Sequence, residues 1–393
     1  MSNSASGRTQ LGPGKVFHII AIVTAMVGSV GCGGLQTLDV QVLDSGQGDS
    51  ATSIAASDVL KAGIDGGVSG MDADDTEPEF WTIAVLPDTQ GSYYYSPPFF
   101  ESETRWIAAN YQAERIAFVL HEGDIVDTPL DTDQWAIARA SMGLLDGKLP
   151  YVLAVGNHDL GLSATPSNLR STLINDVFTY SDLSNRPGFG GAFQTGHLEN
   201  TYYLLPAGGQ TWLVLSLEFS PRPEVLAWAG QILSANAALP AIVLTHAYLY
   251  SDGNRYNLNG RVCQFSGDCT TLTPVGSNPQ CWNPVCYLGD GSDGETMWNS
   301  LILPHSNVVF VFSGHVANAA PLDAARLSSV RPDGTVCHQL MADYQADTTG
   351  GDGYFRLVRI WRDGRVQVRT FSPYVDAANA YLTDDQNQFD LQI

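Results

Sequence analysis

One arrangement limits what this chain can become: from Phe80 onward, short apolar runs end abruptly in the same few polar residue types. WTIAVL (81–86) gives way to Pro87-Asp88-Thr89-Gln90, and RIAFVLH (115–121) runs into Gly123-Asp124-Ile125-Val126-Asp127. YVLAV (151–155) ends in Gly156-Asn157-His158-Asp159, AIVLT (241–245) in His246, and NVVFVFS (307–313) in Gly314-His315. Brief continuous apolar runs rich in β-branched residues read as strands buried on both faces. Between the first three lie ETRWIAANYQAE (103–114) and DQWAIARASMGLLDG (133–147), which read as helices, the second with Gly147 as its C-cap. A β-α-β-α-β order makes the strands parallel, because each helical crossover returns the chain to the same edge. The polar tips therefore gather at one end of a sheet, where open α/β sheets bind ligands.

The remainder of the chain adds strands faster than helices. TYYLL (201–205) and TWLVLSLEF (211–219) precede a helix at PEVLAWAGQILSAN (223–236), and GETMWNSLIL (294–303) reads as another. CHQLMADY, YFRLVRIW and RVQVRTF close the chain as strands. Strands without helices suggest a second, mixed sheet packed on the first, hence a layered α/β domain. No internal repeat is visible.

Upstream of Phe80 the composition changes. Arg8 and Lys15 precede the apolar run VFHIIAIVTAMVG, too short to span a bilayer comfortably, and Ser29-Val30-Gly31-Cys32 follows. Residues 1–32 read as an export signal ending in a site that resembles a bacterial lipobox, with Leu commoner where Ser29 stands. Acylated Cys32 would anchor the protein to a membrane facing the periplasm or the cell surface. Ordinary signal cleavage, or a short membrane anchor, is the alternative. Residues 33–79 lack aromatics, are rich in Gly, Ser and Asp, and hold ten acids against Lys61; they read as a disordered acidic tether.

The formal charge is −22, and residues 80–393 retain 31 acids against 16 bases. Such a surface repels phosphate backbones, so no nucleic-acid binding is expected. Cys263, Cys269, Cys281 and Cys286 fall within a Gly- and Pro-rich insertion, about residues 255–292. In an oxidising compartment they read as a disulfide-stapled loop with three connectivities open. Their spacing is a poor match to zinc ribbons. Cys337 is left as a buried thiol or a partner to one of the four.

Carboxylates, amides and imidazoles form the ligand set of divalent cations, and glycines at 123, 156 and 314 allow the turns that aim them. Any one tip is weak evidence. Taken in order, the five tips resemble the calcineurin-like metallophosphoesterases, from about Phe80 to Asn318. That resemblance implies an α-β-β-α sandwich of two mixed sheets flanked by helices, filling residues 80–393. It implies two divalent metal ions (Mn, Fe, Zn or Mg) and a phosphate ester, mono or di, as substrate. Asp88 and Gln90 match the opening motif, where His is more usual than Gln. Asp124 matches the carboxylate that bridges the metals, and Asn157, His246 and His315 match ligands of the second. His158 matches the general acid that protonates the leaving group after attack by a metal-bound hydroxide. Asp127 matches the position that orients it.

Besides Gln90, a second departure stands out. The family usually ends in Gly-His-x-His, whereas this chain has Gly314-His315-Val316-Ala317, with Asn318 one residue out of register. The first site is then oxygen-rich and expected to bind weakly, preferring a harder ion. These losses raise the alternative of a degenerate surface protein that binds a phosphorylated ligand without turnover.

Other residues are weaker candidates. His121 reads as a brace behind the ligands or a hydrogen-bonded strand-end histidine. Arg222 and Arg255 read as phosphate contacts or, more simply, ion pairs. Tyr248 and Tyr250 line the cleft or pack. SYYYSPPFF after Gln90 forms a pocket rim or loop packing. His197, His305 and His338 match no motif.

Overall fold

The structure, a computed structural model, describes residues 80–94, 98–162, 169–258, 263, 281–316, 323–346 and 350–393. The export signal with Cys32 and the acidic tether lie outside the described residues, as do Cys269, Ala317 and Asn318.

Two seven-stranded mixed sheets carry the fold. The first joins β1 (Phe80–Leu86), β2 (Ile116–His121) and β3 (Tyr151–Leu153) to β11 (Phe355–Trp361), β12 (Arg365–Phe371), β13 (Tyr381–Leu382) and β14 (Gln388–Gln392). The second joins β4 (Phe189–Ala192), β5 (Thr201–Ala207), β6 (Gln210–Leu217), β7 (Ala241–Thr245), β8 (Val308–Ser313), β9 (Asp323–Val330) and β10 (Val336–Asp343). β1, β2 and β3 run parallel, and so do β6, β7, β8 and β10. All seven therefore deliver their C-terminal tips to one edge of their own sheet.

The two-residue period of a strand sorts its side chains into layers. In β1, Trp81, Ile83 and Val85 enter the inter-sheet core with Trp212, Val214, Ile242, Leu244, Phe310 and Phe312. Ala84 and Leu86 face the other way, into a cluster with Ile107, Trp135, Ala138 and Met142 from two helices. In β6, Trp212 and Val214 face the inter-sheet core, while Leu213, Leu215 and Leu217 join Val225, Ala229 and Leu233 of a third helix. Helices outside and sheets inside give the α-β-β-α layering.

Helix limits shift from the expected ones for local reasons. α1 spans Phe99–Asn110, starting earlier than expected because Phe99 and Phe100 bury themselves in its first turn after Pro98. α2 spans Thr132–Gly143, with the Asp131 side chain accepting from the N–H groups of Asp133 and Gln134. It stops four residues before Gly147, which serves a following turn and is not the C-cap. α3 spans Pro223–Ala235. The expected helix at 294–303 is a short α segment, Gly294–Met297, continued by a π segment, Trp298–Ile302. No helix among the described residues is long and apolar enough to cross a membrane.

Candidate metal centre

Asp88 follows β1, Asp124 follows β2, and Asn157 and His158 follow β3, while His246 and His315 follow β7 and β8. The structure brings these tips together. Asp88 accepts from the His315 N–H at 3.1 Å, and Asp124 Oδ1 accepts from the His158 N–H at 2.8 Å. His246 Nε2 lies 3.2 Å from Asp124 Oδ2, 3.2 Å from Asn157 Oδ1 and 3.9 Å from Asp88 Oδ2. One potential ligand atom each from Asp124, His246 and His315 lies within 4.8 Å of the others. Ligands about 2.1 Å from a common ion would be up to ~4 Å apart, so the spread is close to that of a coordination sphere.

The tautomers follow from the carbonyls behind the rings. His246 Nδ1 donates to the Glu122 carbonyl at 2.9 Å, so Nε2 is the nitrogen that faces Asp124 and Asn157, with its lone pair available in the neutral ring. His315 Nε2 donates to the Trp282 carbonyl at 2.8 Å, which leaves the lone pair on Nδ1. A carbonyl behind a histidine fixes which nitrogen faces a metal. Asp124 Oδ2, Asn157 Oδ1 and the His246 lone pair are then acceptors aimed at one another. Either a proton or a cation must sit among them; a proton serves one acceptor at a time, a divalent ion all. The residues present fit such an ion.

Backbone geometry is strained where ligands emerge. Asp124 (φ 49°) and His315 (φ 76°) both occupy the left-handed region, which costs a non-glycine residue on the order of 1 kcal/mol or more. The neighbouring glycines are required by close approach. A Cβ on Gly156 would stand 2.0 Å from Asp124 Oδ1, and one on Gly314 would stand 1.9 Å from Asp88 Oδ1.

Charge around the cluster is crowded. Burial, then Asp343, Asp124 and Glu122, raise the Asp88 carboxyl well above its usual range. Burial also raises Glu122, with Arg356 opposing. For Asp124 burial works against ionisation, but His246 and His158 outweigh it and hold the carboxyl at about 2. Burial pushes His315 down to about 3, and His246 adds to the effect. Buried carboxylates this close are costly without a compensating cation.

His158 and Asp127 sit beside the cluster. His158 Nδ1 donates to the Asp127 carbonyl at 2.8 Å, with the Asp127 carboxylate 3.5 Å away. Burial alone would lower this imidazolium; Asp124 and Asp127 overcome it and raise it to about 9. Gln90 is the outlying member. Its amide nitrogen donates to Gln345 Oε1, and its own Oε1 is buried without a hydrogen-bond partner. Gln345 Nε2 in turn donates to Asp343 at 2.8 Å and to Asp88 at 3.5 Å.

Several contributors were not singled out from the sequence. Asp159 braces two tip loops, accepting from the N–H groups of Val126 at 3.0 Å and Gly156 at 2.8 Å. Phe219 packs against both His246 and His315, with ring centroids 5.7 and 5.1 Å away, and Tyr287 lies 5.7 Å from His315. Asp343 ends β10 just as the other tips end their strands, and that pattern was legible in CHQLMADY. The Trp282 carbonyl left no sequence signal, because any residue supplies one.

The weaker candidates divide plainly. His121 is a brace: its Nδ1 accepts from the Gly123 N–H at 3.2 Å and its Nε2 lies 3.1 Å from Thr89 Oγ1. Arg222 pairs with Glu218 at 2.8 Å, and Arg255 stacks 3.8 Å over Trp298 and bonds Gln339. Tyr248 and Tyr250 are buried in the core, as are Phe99 and Phe100. His197 meets Glu199, His305 meets Leu301 and Ser234, and His338 meets Ser328 and the Gln392 carbonyl. Cys263 pairs with Cys286, one of the open connectivities, and Cys281 is also disulfide-bonded. Cys337 is a free, buried thiol that burial pushes up to about 12.

A family model described as calcineurin-like phosphoesterase matches residues 82–319. The Bacillus subtilis (strain 168) protein called Uncharacterized protein YvnB is 30% identical over 329 residues, 80% of this chain but 22% of its own length. The chain thus spans less than a quarter of that relative. Among solved structures, purple acid phosphatase PPD1 from yellow lupin (Lupinus luteus) seeds is 14% identical, covering 80% of this chain and 54% of its own, with a TM-score of 0.46. GAP50, titled the anchor in the inner membrane complex of Plasmodium, is 11% identical over 79% of this chain and 89% of its own, with a TM-score of 0.41.

Proposed function

Because the chain belongs to the calcineurin-like phosphoesterase family, we propose that it hydrolyses phosphate esters at the strand-tip cluster, using divalent cations held there. The convergence of Asp124 Oδ2, Asn157 Oδ1 and the free nitrogens of His246 and His315 carries this reading. Those four residues would hold one cation. Asp88 and Gln90 would hold a second, with Asp124 shared because a carboxylate offers two oxygens. Bound cations supply two things: a lowered pKa for bound water and neutralised phosphoryl oxygens.

The chain's own residues do the rest. Asp124 Oδ1 holds the His158 backbone N–H, which ties the acid to the cluster. The Asp127 carbonyl accepts from Nδ1 and so leaves Nε2 to deliver a proton to the departing alkoxide. An imidazole pushed up to about 9 is protonated near neutral pH, as a general acid must be. Positive charge beside Asp124 would draw that value down toward neutrality. Phe219 and Tyr287 wall the imidazoles in apolar surface, which strengthens electrostatic interactions by excluding water. The proposal extends to location: an exported protein held to a membrane by acylated Cys32. Its support is the leader VFHIIAIVTAMVG with Arg8 and Lys15, together with the Cys263–Cys286 bond.

The test strips the protein of metal, restores Mn, Zn, Fe or Mg separately, and assays nitrophenyl mono- and diesters beside His246→Ala. Hydrolysis that returns with an ion in the parent chain and not in the variant supports the reading. Metal uptake without turnover, under every ion, would instead mark a phosphorylated-ligand binder.

A further inference from the structure

β10 runs parallel to β8, with Leu340 opposite Phe312 and Met341 opposite Ser313, so its tip lands beside the one that carries His315. Asp343 stands at that tip and is fully buried. The Gly314 position gives a local measure of the crowding: a Cβ there would meet both Asp88 Oδ1 and, at 3.4 Å, the Ala342 carbonyl. Asp88 and Asp343 also share one donor, Gln345 Nε2. Besides that nitrogen, Asp88 accepts from the His315 N–H and Asp343 from the Gln345 N–H, so one neutral amide joins two buried carboxylates.

The geometry points to Asp343 as a ligand of the first cation, completing with Asp88, Asp124 and Gln90 Oε1 an all-oxygen site that selects a hard ion such as Mn²⁺ or Mg²⁺. This rests on the phosphoesterase reading above. Position 317 is Ala, which supplies no metal ligand, whereas Asp343 brings a carboxylate from a different strand. An independent observation points the same way. Gln90 is 5% exposed, and its Oε1 has no hydrogen-bond partner, while the other end of the same amide reaches Gln345 at the edge of this cluster. A neutral oxygen buried without a donor beside carboxylates is what a cation would satisfy. Oxygen-only coordination favours Mg²⁺ or Mn²⁺, whereas the site with His246 and His315 favours Zn²⁺ or Fe²⁺. The two sites would thus differ in ion preference.

The experiment is a metal titration of the metal-free full chain, with stoichiometry read by elemental analysis and the first site by Mn²⁺ paramagnetic resonance. The parent chain should hold one Zn²⁺ that excess Mg²⁺ does not displace, and one Mn²⁺ that it does. Asp343→Asn can still accept from the Gln345 backbone N–H, so the turn is kept while the charge is lost. It should retain the Zn²⁺ and bind Mn²⁺ on the order of 100-fold more weakly. Unchanged Mn²⁺ affinity in Asp343→Asn overturns the assignment, and so does loss of both ions from the folded variant. Should that variant not fold, the parent chain decides: a second ion that Mg²⁺ cannot displace, or only one ion bound, overturns it. A single bound ion would leave the hydrolytic reading standing. Binding of no ion at all would overturn both.

Discussion

A carbonyl oxygen accepts hydrogen bonds and cannot donate them, and at His246 and His315 that simple fact decides which nitrogen is free. The same reasoning separates the role of His158 from theirs. Its Nδ1 is held by Asp127, and it meets the cluster through its backbone, so its ring is available for proton transfer. His158→Ala should therefore lower turnover of alkyl phosphates by roughly 10²–10⁴-fold and of nitrophenyl phosphate far less, since nitrophenolate leaves without a proton. Equal losses on both substrates, measured as kcat, would remove the acid role. A second residue-scale prediction concerns Glu103 of α1. It is 3% exposed, one carboxylate oxygen lacks a partner, and burial pushes the carboxyl from 4.5 up to about 8. Between those two values the unfolded chain gives up a proton that the folded chain keeps. Stability must then fall as pH rises through that window, by an amount on the order of a few kcal/mol. Glu103→Gln removes the linkage: by denaturant unfolding of metal-free protein, its advantage over the parent should grow from pH 5 to pH 8. A constant difference across that range would contradict the buried, neutral carboxyl.

At the scale of elements, the strand tips were legible in the sequence and the supports behind them were not. Asp88, Asp124, Asn157, His246 and His315 announce themselves because an apolar run breaks at a polar ligand type. Asp343 breaks its run in the same way, but a strand in the tail, without a helix before it, gave no reason to place it at the same edge. The helix limits were displaced because hydrophobic spacing says little about where a cap forms, as Asp131 and Phe99 illustrate. Least legible was the Cys-rich insertion. Four cysteines in a polar loop predict a staple and not its purpose, whereas the structure shows Trp282 and Tyr287 against His315, flanked by the bonded Cys281 and Cys286. The insertion thereby holds His315 in its tautomer. Cys286→Ser, which opens the Cys263–Cys286 bond, should weaken Zn²⁺ binding about 10-fold or more, in line with loss of a supporting contact behind a metal-bound histidine. Isothermal titration of parent and variant measures it. Identical Zn²⁺ affinity would mean that the staple serves only the loop.

For the whole molecule, the sandwich explains why residues from Asp88 to His315 can meet. Parallel strands in each sheet point their tips the same way, and the inter-sheet core, with Trp81 against Trp212 at 5.1 Å, clamps the two edges into one. That core fixes the spacing between Asp88 and Asp124 on one sheet and His246 and His315 on the other. Charge acts at this scale as well. A chain of net −22 attracts cations and repels polyanions, so under the proposed function a small phosphate ester would be admitted by charge that the cations would provide. Anomalous diffraction from crystals of the Zn²⁺-loaded protein addresses this architecture directly. The account requires a peak between Asp124, Asn157, His246 and His315, within coordination distance of His246 Nε2 and His315 Nδ1. Loaded crystals with no peak there, or with the two imidazoles turned away from Asp124, would contradict it.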